Sequence, residues 1–201
     1  MPRKRQPRRR PMPPSPAWDR LYQAAESQAG LFTLTQAEAC GYSSQHLQKH
    51  LRAGRIHRVQ RGIYRLTQFP AGEHEELVVL WLWSGQVGVF SHETSLFLHD
   101  LSDVLPAKVH MTVPTAWRKR RVRVPDGLVL HHGDLADSDR AWVEVVPVTT
   151  ARQAITECIV AHTAPDLIDQ ATRQARQRGL ISREDGRRLS NQLRRTRDTR
   201  S

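Results

Sequence analysis

The chain has 201 residues, 38% hydrophobic and 25% charged, with 31 Lys/Arg against 20 Asp/Glu and a formal net charge of +11. That length suits one medium domain or two small ones, and two is the expectation here; a mean hydropathy of −0.59 leaves much of the chain solvated. No apolar run approaches the roughly 18 residues of a membrane span, and the N-terminus lacks the apolar stretch of a signal peptide, so a cytoplasmic protein without a membrane partner is expected.

The charge is unevenly placed. Residues 1–10 carry six Lys/Arg and no acid, and residues 187–201 carry six Arg against Asp198. Between them, 31–66 holds six basic residues and one acid, while 67–186 is mildly acidic. Such segregation favours a nucleic-acid partner, because each neutralised phosphate releases counterions. For the tails alone, a merely solubilising role is the plain alternative. Cys40 and Cys158 show no CxxC or Cys/His ligand spacing, which argues against a zinc site or a disulfide framework and makes both small buried hydrophobes.

Residues 1–16 alternate Arg clusters with proline and offer nothing to bury, so they read as a disordered basic arm. From Ala17 a helix is predicted, with Trp18, Leu21, Tyr22 and Ala25 on one face and Gly30 as its stop. Thr35-Gln36-Ala37-Glu38 fits a capping box, which starts a short helix ending at Gly41. Ser43 or Ser44 caps the next helix, with Leu47 and Leu51 inward, Gln45, Gln48, Lys49 and Arg52 outward, and Gly54 as the stop. Amides pair with adenine edges, cations reach guanine or phosphate, and a helix N-terminus suits a phosphate, so this is the candidate recognition helix. An ordinary solvated helix face is the alternative.

A ribbon follows. Ile56–Val59 and Ile63–Leu66 flank Gln60-Arg61-Gly62, whose glycine can take the positive φ of a hairpin turn or bulge. The alternation is not clean enough to assign a buried face. Arg58 and Arg61, near the tip, are candidates for backbone or minor-groove contact. Residues 17–67 therefore read as a winged helix-turn-helix, with Ser43, Ser44, Gln45, Gln48, Lys49, Arg52, Arg58 and Arg61 as its DNA-binding set.

Thr35 to Leu66 also resembles a known family. Gly41-Tyr42-Ser43, the outward-polar helix and the run A-G-R-I-H-R-V-x-R-G-I-Y-R-L, with Gly54, Val59, Arg61, Gly62 and Tyr64 in matching places, look like the winged-helix domain of AbiEi-type antitoxins, regulators of type IV toxin-antitoxin systems. V-F-S-H-E-T-S-L-F-L-H-D-L and P-A-K-V-H-M-T-V-P, further on, are similar to the segment that follows that domain, except that Thr94 and Leu96 stand where small residues are usual. The resemblance implies autorepression of an operon by binding operator repeats in double-stranded DNA, and antagonism of a nucleotidyltransferase-like toxin.

Residues 67–72, with Pro70, read as a linker. A second, mixed α/β domain is expected over 73–196, with a small sheet and C-terminal helices, making the whole an α+β chain. Its first helix, Glu73 to Trp83, is apolar on most sides. Ser91 caps a helix to about Leu101 with Leu96, Phe97 and Leu101 inward; His92 and Glu93 in its first turn read as an ordinary helix start. Three strands are predicted, around Val109–Val113, Leu128–Leu130 and Trp142–Val146. Between the first two, Trp117 to Arg123 puts five cations in seven residues, a nucleic-acid contact or an exposed solvated hairpin. Thr149 or Thr150 caps a helix with Ala154, Ile155, Cys158 and Ile159 inward. Pro165 to Gln177 gives another with Leu167, Ile168, Ala171 and Ala175, and Ser182 to Arg195 a last one with Leu189 and Leu193. Residues 197–201 are left as a basic tail.

No enzyme is expected: there is no phosphate-binding glycine loop, zinc-protease helix or nucleophile elbow. Asp126, Asp134 and Glu144 lie near strands without a nuclease motif, and the adjacent His131 and His132 point to opposite faces of a strand, so they cannot chelate one metal together. No cofactor and no metal are expected. A nuclease targeted by the winged helix, or a toxin-capturing protein without operator specificity, is the alternative; the oligomeric state is left open.

Overall fold

The computed structural model describes residues 16–198. The basic arm predicted for 1–16 lies outside them except at Pro16. The chain divides into two compact units between Glu75 and Glu76.

In the first unit, α1 (Trp18–Glu26), β1 (Leu31–Thr33), α2 (Leu34–Ala39), α3 (Ser44–Arg52), β2 (Ile56–Gln60) and β3 (Ile63–Leu66) follow in order. The strands form an antiparallel sheet, β1-β3-β2, so the ribbon has a third strand that was not predicted. Phe32 pairs with Tyr64 and stacks on its ring at 5.7 Å. The core gathers Leu21, Ala25, Phe32, Ala37, Tyr42, Leu47, Ile56 and Leu66.

The extra strand moves the helix cap. Thr33-Leu34-Thr35-Gln36-Ala37-Glu38 contains two overlapping capping-box patterns, and the one at Thr33 is used, not the one predicted at Thr35. The Gln36 N–H donates to Thr33 Oγ1 (3.1 Å) and the Thr33 N–H donates back to Gln36 Oε1 (2.8 Å). Leu31 and Phe32 favour this register: both are fully buried in the strand that runs to Thr33 and pairs with β3. Gly30, placed as the stop of α1, serves the turn beyond it: α1 ends at Glu26, and Gly30 sits at φ +83. An alanine there would put its Cβ 2.3 Å from Cβ of Phe69. Gly30→Ala is expected to lower stability by on the order of 2 kcal/mol or more, read from urea melts, through left-handed strain and the clash together.

The second unit contains α4 (Glu75–Trp83) from Glu76 on, then β4 (Val89–Phe90), α5 (His92–Leu98), β5 (Val109–Val113), β6 (Leu128–His132), β7 (Arg140–Val143), β8 (Val146–Thr149), α6 (Ala151–Val160), α7 (Pro165–Gln177) and α8 (Arg183–Asp198). Five strands form one mixed sheet in the order β6-β5-β4-β8-β7. β4 pairs antiparallel with β5 and parallel with β8, while β5 and β6 run parallel. The chain is thus α+β, a winged-helix unit followed by a sheet with C-terminal helices.

Several expectations for this unit are corrected. The strand predicted over Trp142–Val146 is a hairpin, β7 and β8, that turns at Glu144 with φ +50. Ser91 precedes α5, but its hydroxyl makes no cap bond; α5 stops at Leu98, and Phe97 is 46% exposed, outside the core stripe. Arg197 and Asp198, placed in a tail, continue α8, and residues 199–201 lie outside the described residues. The helical core matches its apolar spacing: Ala154, Ile155, Cys158, Ile159, Ile168, Ala171, Ala175, Leu189 and Leu193 are buried together, with Leu167 packed against them. Cys158 is fully buried, which pushes its thiol up to about 12, whereas Cys40 is only half-buried. No helix among the described residues is long and apolar enough to cross a membrane.

Candidate nucleic-acid interface

The eight residues singled out in the first unit fall into two groups. Ser43 is the N-cap of α3, its hydroxyl accepting from the His46 N–H at 3.3 Å. Ser44, Gln45, Gln48, Lys49 and Arg52 then lie at positions i, i+1, i+4, i+5 and i+8, one polar stripe of the helix. All are exposed, whereas Leu47 is buried and Leu51 half-buried on the side that joins the core. Two residues hold α3 against the rest of the unit beyond those leucines. The His50 ring stacks on Trp18 at 5.0 Å and meets Tyr42 edge-on at 5.5 Å. Burial holds the His50 imidazole below its ordinary value, with Arg55 and His46 adding to the shift.

Gly54 ends α3 as predicted, at φ +66, its N–H donating to the Leu51 carbonyl (3.1 Å) while the Arg55 N–H reaches the His50 carbonyl (3.0 Å). The chain turns directly into β2. The register settles which face of the ribbon is buried: Ile56 opposes Leu66, both buried, and Arg58 opposes Tyr64 two residues nearer the tip. A bulge between Arg58 and Gln60 breaks the alternation, which is why the sequence parity is not clean. The turn itself is Arg61-Gly62, with Gly62 at φ +80.

Arg58 and Arg61 are exposed near this turn, and neither they nor Lys49 and Arg52 belong to an ion pair among the described residues. Arg65 differs. It is half-buried and paired with Glu75, so it fastens the base of the ribbon to the end of the unit. Lys49 and Arg52 on the outer stripe of α3 and Arg58 and Arg61 at the wing tip are thus exposed and outside any ion pair among the described residues, so an anionic surface could neutralise them.

Residues 19–67 match the family model described as "Transcriptional regulator, AbiEi antitoxin". The resemblance carried by Gly41, Tyr42, Ser43, Gly54, Arg61 and Gly62 is thereby borne out over the winged-helix segment, and the match stops at its last strand and the turn after it. No curated protein matches the chain. Among solved structures, the chain is similar to the crystal structure of the RV2827C protein from Mycobacterium tuberculosis, with 14% identity and a TM-score of 0.40, over 87% of this chain and 80% of that one.

The second unit places its candidate residues differently from expectation. Trp117 is buried in a 3-10 turn (Thr115–Lys119), edge-on to Trp83 at 6.0 Å, with the Arg120 guanidinium 4.8 Å from its ring centre. It is thus unavailable for stacking on a base, although Arg118 to Arg123 are exposed. Asp134 is engaged by the Thr115 N–H (3.0 Å), which holds its carboxyl below the usual carboxylate value. Among the described residues Asp126, Asp134 and Glu144 do not converge on a common point where a cation could sit.

A group that the sequence reading missed does converge. His92, read as an ordinary helix start, stands with His110 and His131, one ring nitrogen of each lying within 4.8 Å of the others. Burial lowers all three imidazoles, and the first is pushed down to about 3, with His131 and His110 adding to the effect. Nothing in their spacing of 18 and 21 residues marks them as a set; the β5–β6 register and the start of α5 bring them together.

Proposed function

We propose that the chain is a DNA-binding transcriptional regulator, an autorepressor of the AbiEi antitoxin type, and that it acts by occupancy with no catalytic step. The observation that carries this is the unpaired polar stripe of α3, followed at once by a wing whose exposed cations are Arg58 and Arg61, within the segment that matches the regulator family. A helix so placed enters a major groove while the wing reaches the adjoining backbone. Repression then needs only that the protein exclude polymerase from a promoter, so affinity and specificity are the whole activity.

The operator is expected in the duplex upstream of the protein's own gene, as repeats. In gel retardation at 0.15 M salt the full chain should bind that duplex at least about 1,000-fold more tightly than a scrambled one. Equal affinity for the two would sink the operator assignment. On this reading the second unit antagonises a nucleotidyltransferase-like toxin, as in type IV systems. The adjacent reading frame and co-purification from the native host test that step separately.

A further inference from the structure

The three histidines are brought together by separate elements. In the parallel pairing of β5 with β6, Thr112 lies opposite His131 and His110 opposite Val129. His110 and His131 therefore share one face of the sheet, and His132 takes the other. On that face His110 Nδ1 lies 3.0 Å from His131 Nε2. His92 comes from the first residue of α5 and stacks on His131, ring centres 3.7 Å apart.

The support around them is directional. His92 has φ +54, a left-handed conformation that is uncommon outside glycine and costs backbone energy. It is held there by its own N–H, which donates to Glu157 Oε2 at 3.0 Å. Its Nδ1 lies 3.0 Å from Ser91 Oγ and 3.8 Å from the same Glu157 oxygen, so the ring's other nitrogen, Nε2, remains for a ligand. Ser91 Oγ in turn accepts from the Thr112 hydroxyl at 2.9 Å, and the His110 N–H donates to Thr94 Oγ1 at 2.8 Å. A partner on the imidazole's far nitrogen, here the Ser91 hydroxyl, with a carboxylate holding the backbone of the same residue, matches the outer-shell support of metal-bound histidines. Three partly buried imidazoles are also a costly way to fill space, since each brings two polar nitrogens that need partners.

We propose that His92, His110 and His131 bind one divalent transition-metal ion of the zinc class, with solvent in the remaining position. The donor set selects the ion: imidazole nitrogen suits zinc, cobalt, nickel or copper, and the oxygen ligands that magnesium or calcium require are missing from the described group. Zinc–nitrogen bonds of about 2.0–2.1 Å in a tetrahedron put ligand nitrogens roughly 3.4 Å apart. The His110–His131 pair is near that separation, and His92 closes on it by turning its ring off the stack. On binding, His92 Nε2 ligates and its proton resides on Nδ1, donated to Ser91 Oγ. His110 and His131 likewise each offer a lone pair where one of them now hydrogen-bonds to the other. The ion would clip the start of α5 to β5 and β6. Glu157 is a positioning residue, not a ligand. This inference stands independently of the regulator reading.

The test uses the full chain, stripped with a chelator and dialysed. Zinc is titrated in competition with a chromophoric chelator, and cobalt is added to a parallel sample. We expect one ion per chain and the visible absorption of a four-coordinate cobalt site. His110→Ala and His131→Ala should each weaken binding by more than about 100-fold, and Glu157→Gln by about 10-fold. His132→Ala, on the opposite face, should leave it unchanged. Lack of stoichiometric binding by the unaltered chain, or binding that survives His110→Ala and His131→Ala, overturns the proposal. Should those variants fail to fold, chemical modification of the unaltered chain decides: zinc must protect His92, His110 and His131 from carbethoxylation, and equal labelling with and without zinc overturns the site.

Discussion

Replacing Arg58 and Arg61 together by alanine is expected to weaken binding to every duplex by roughly 30-fold at 0.15 M salt, and to reduce the slope of log K against log salt by about 2, since each phosphate contact contributes about 0.9 to it. The two side chains are exposed at the wing tip and carry no ion pair among the described residues, so their removal costs little in folding and isolates the electrostatic contribution. The helix variants should behave differently. Gln48→Ala faces the same solvent but carries no charge; it should leave the salt slope and the scrambled-duplex affinity alone and weaken only the operator, by about 1–3 kcal/mol where the amide reads a base pair. Lys49→Ala should combine the two effects. Gel-retardation series at three salt concentrations separate these outcomes. If Arg58→Ala/Arg61→Ala retains the full slope, the wing does not touch phosphate. If Gln48→Ala weakens operator and scrambled duplex alike, α3 is not the reading helix.

The parts of the fold legible in the sequence are those whose signal is local. Pro165 at the start of α7, the apolar spacing through Ala154, Ile155, Cys158 and Ile159, and Gly54 after α3 each specify an element from within its own few residues. The stripe of α3 was legible for the same reason, as was the turn at Arg61-Gly62. What was not legible depends on pairing across the chain. The two overlapping capping boxes at Thr33 and Thr35 are equal in sequence, and only the pairing of Leu31 and Phe32 with β3 chooses between them. The β7–β8 hairpin turns at Glu144, whose positive φ no glycine or asparagine announces. Trp117 beside four arginines and a lysine looks like an exposed nucleic-acid contact until Trp83, 34 positions earlier, is found against it. The histidine cluster is the extreme case. Adjacent His131 and His132 were correctly separated by strand geometry, but that argument cannot say which distant side chain each one meets.

The metal-free chain should lose stability in the second unit between pH 6.5 and pH 5, above the range where ordinary carboxylates titrate. In the unfolded chain a histidine has a value near 6.5, while His92 in the folded chain is pushed down to about 3 by burial and by His131 and His110. Below pH 6.5 the unfolded state therefore binds a proton that the folded state refuses, so stability is complete above that value and falls with the pH. From His92 alone the loss between pH 7.5 and pH 5 is about 2 kcal/mol. His110 and His131 act in the same direction, as does His99, which burial lowers although its bond to the Thr149 carbonyl (2.8 Å) pulls it back up. Glu157 opposes them. Its carboxyl is raised by burial against the hydrogen bonds from the His92 N–H, Gln153 and Thr149, so as acid is added it gains protons first in the folded state and blunts the loss. Four of the five tryptophans, Trp81, Trp83, Trp117 and Trp142, lie in the second unit, so urea melts followed by tryptophan fluorescence report it selectively. His92→Ala should flatten the profile between pH 7.5 and pH 5, and His132→Ala should not. A profile already flat in the unaltered chain would mean that the cluster opens to solvent at little cost, and that burial does not hold these imidazoles down.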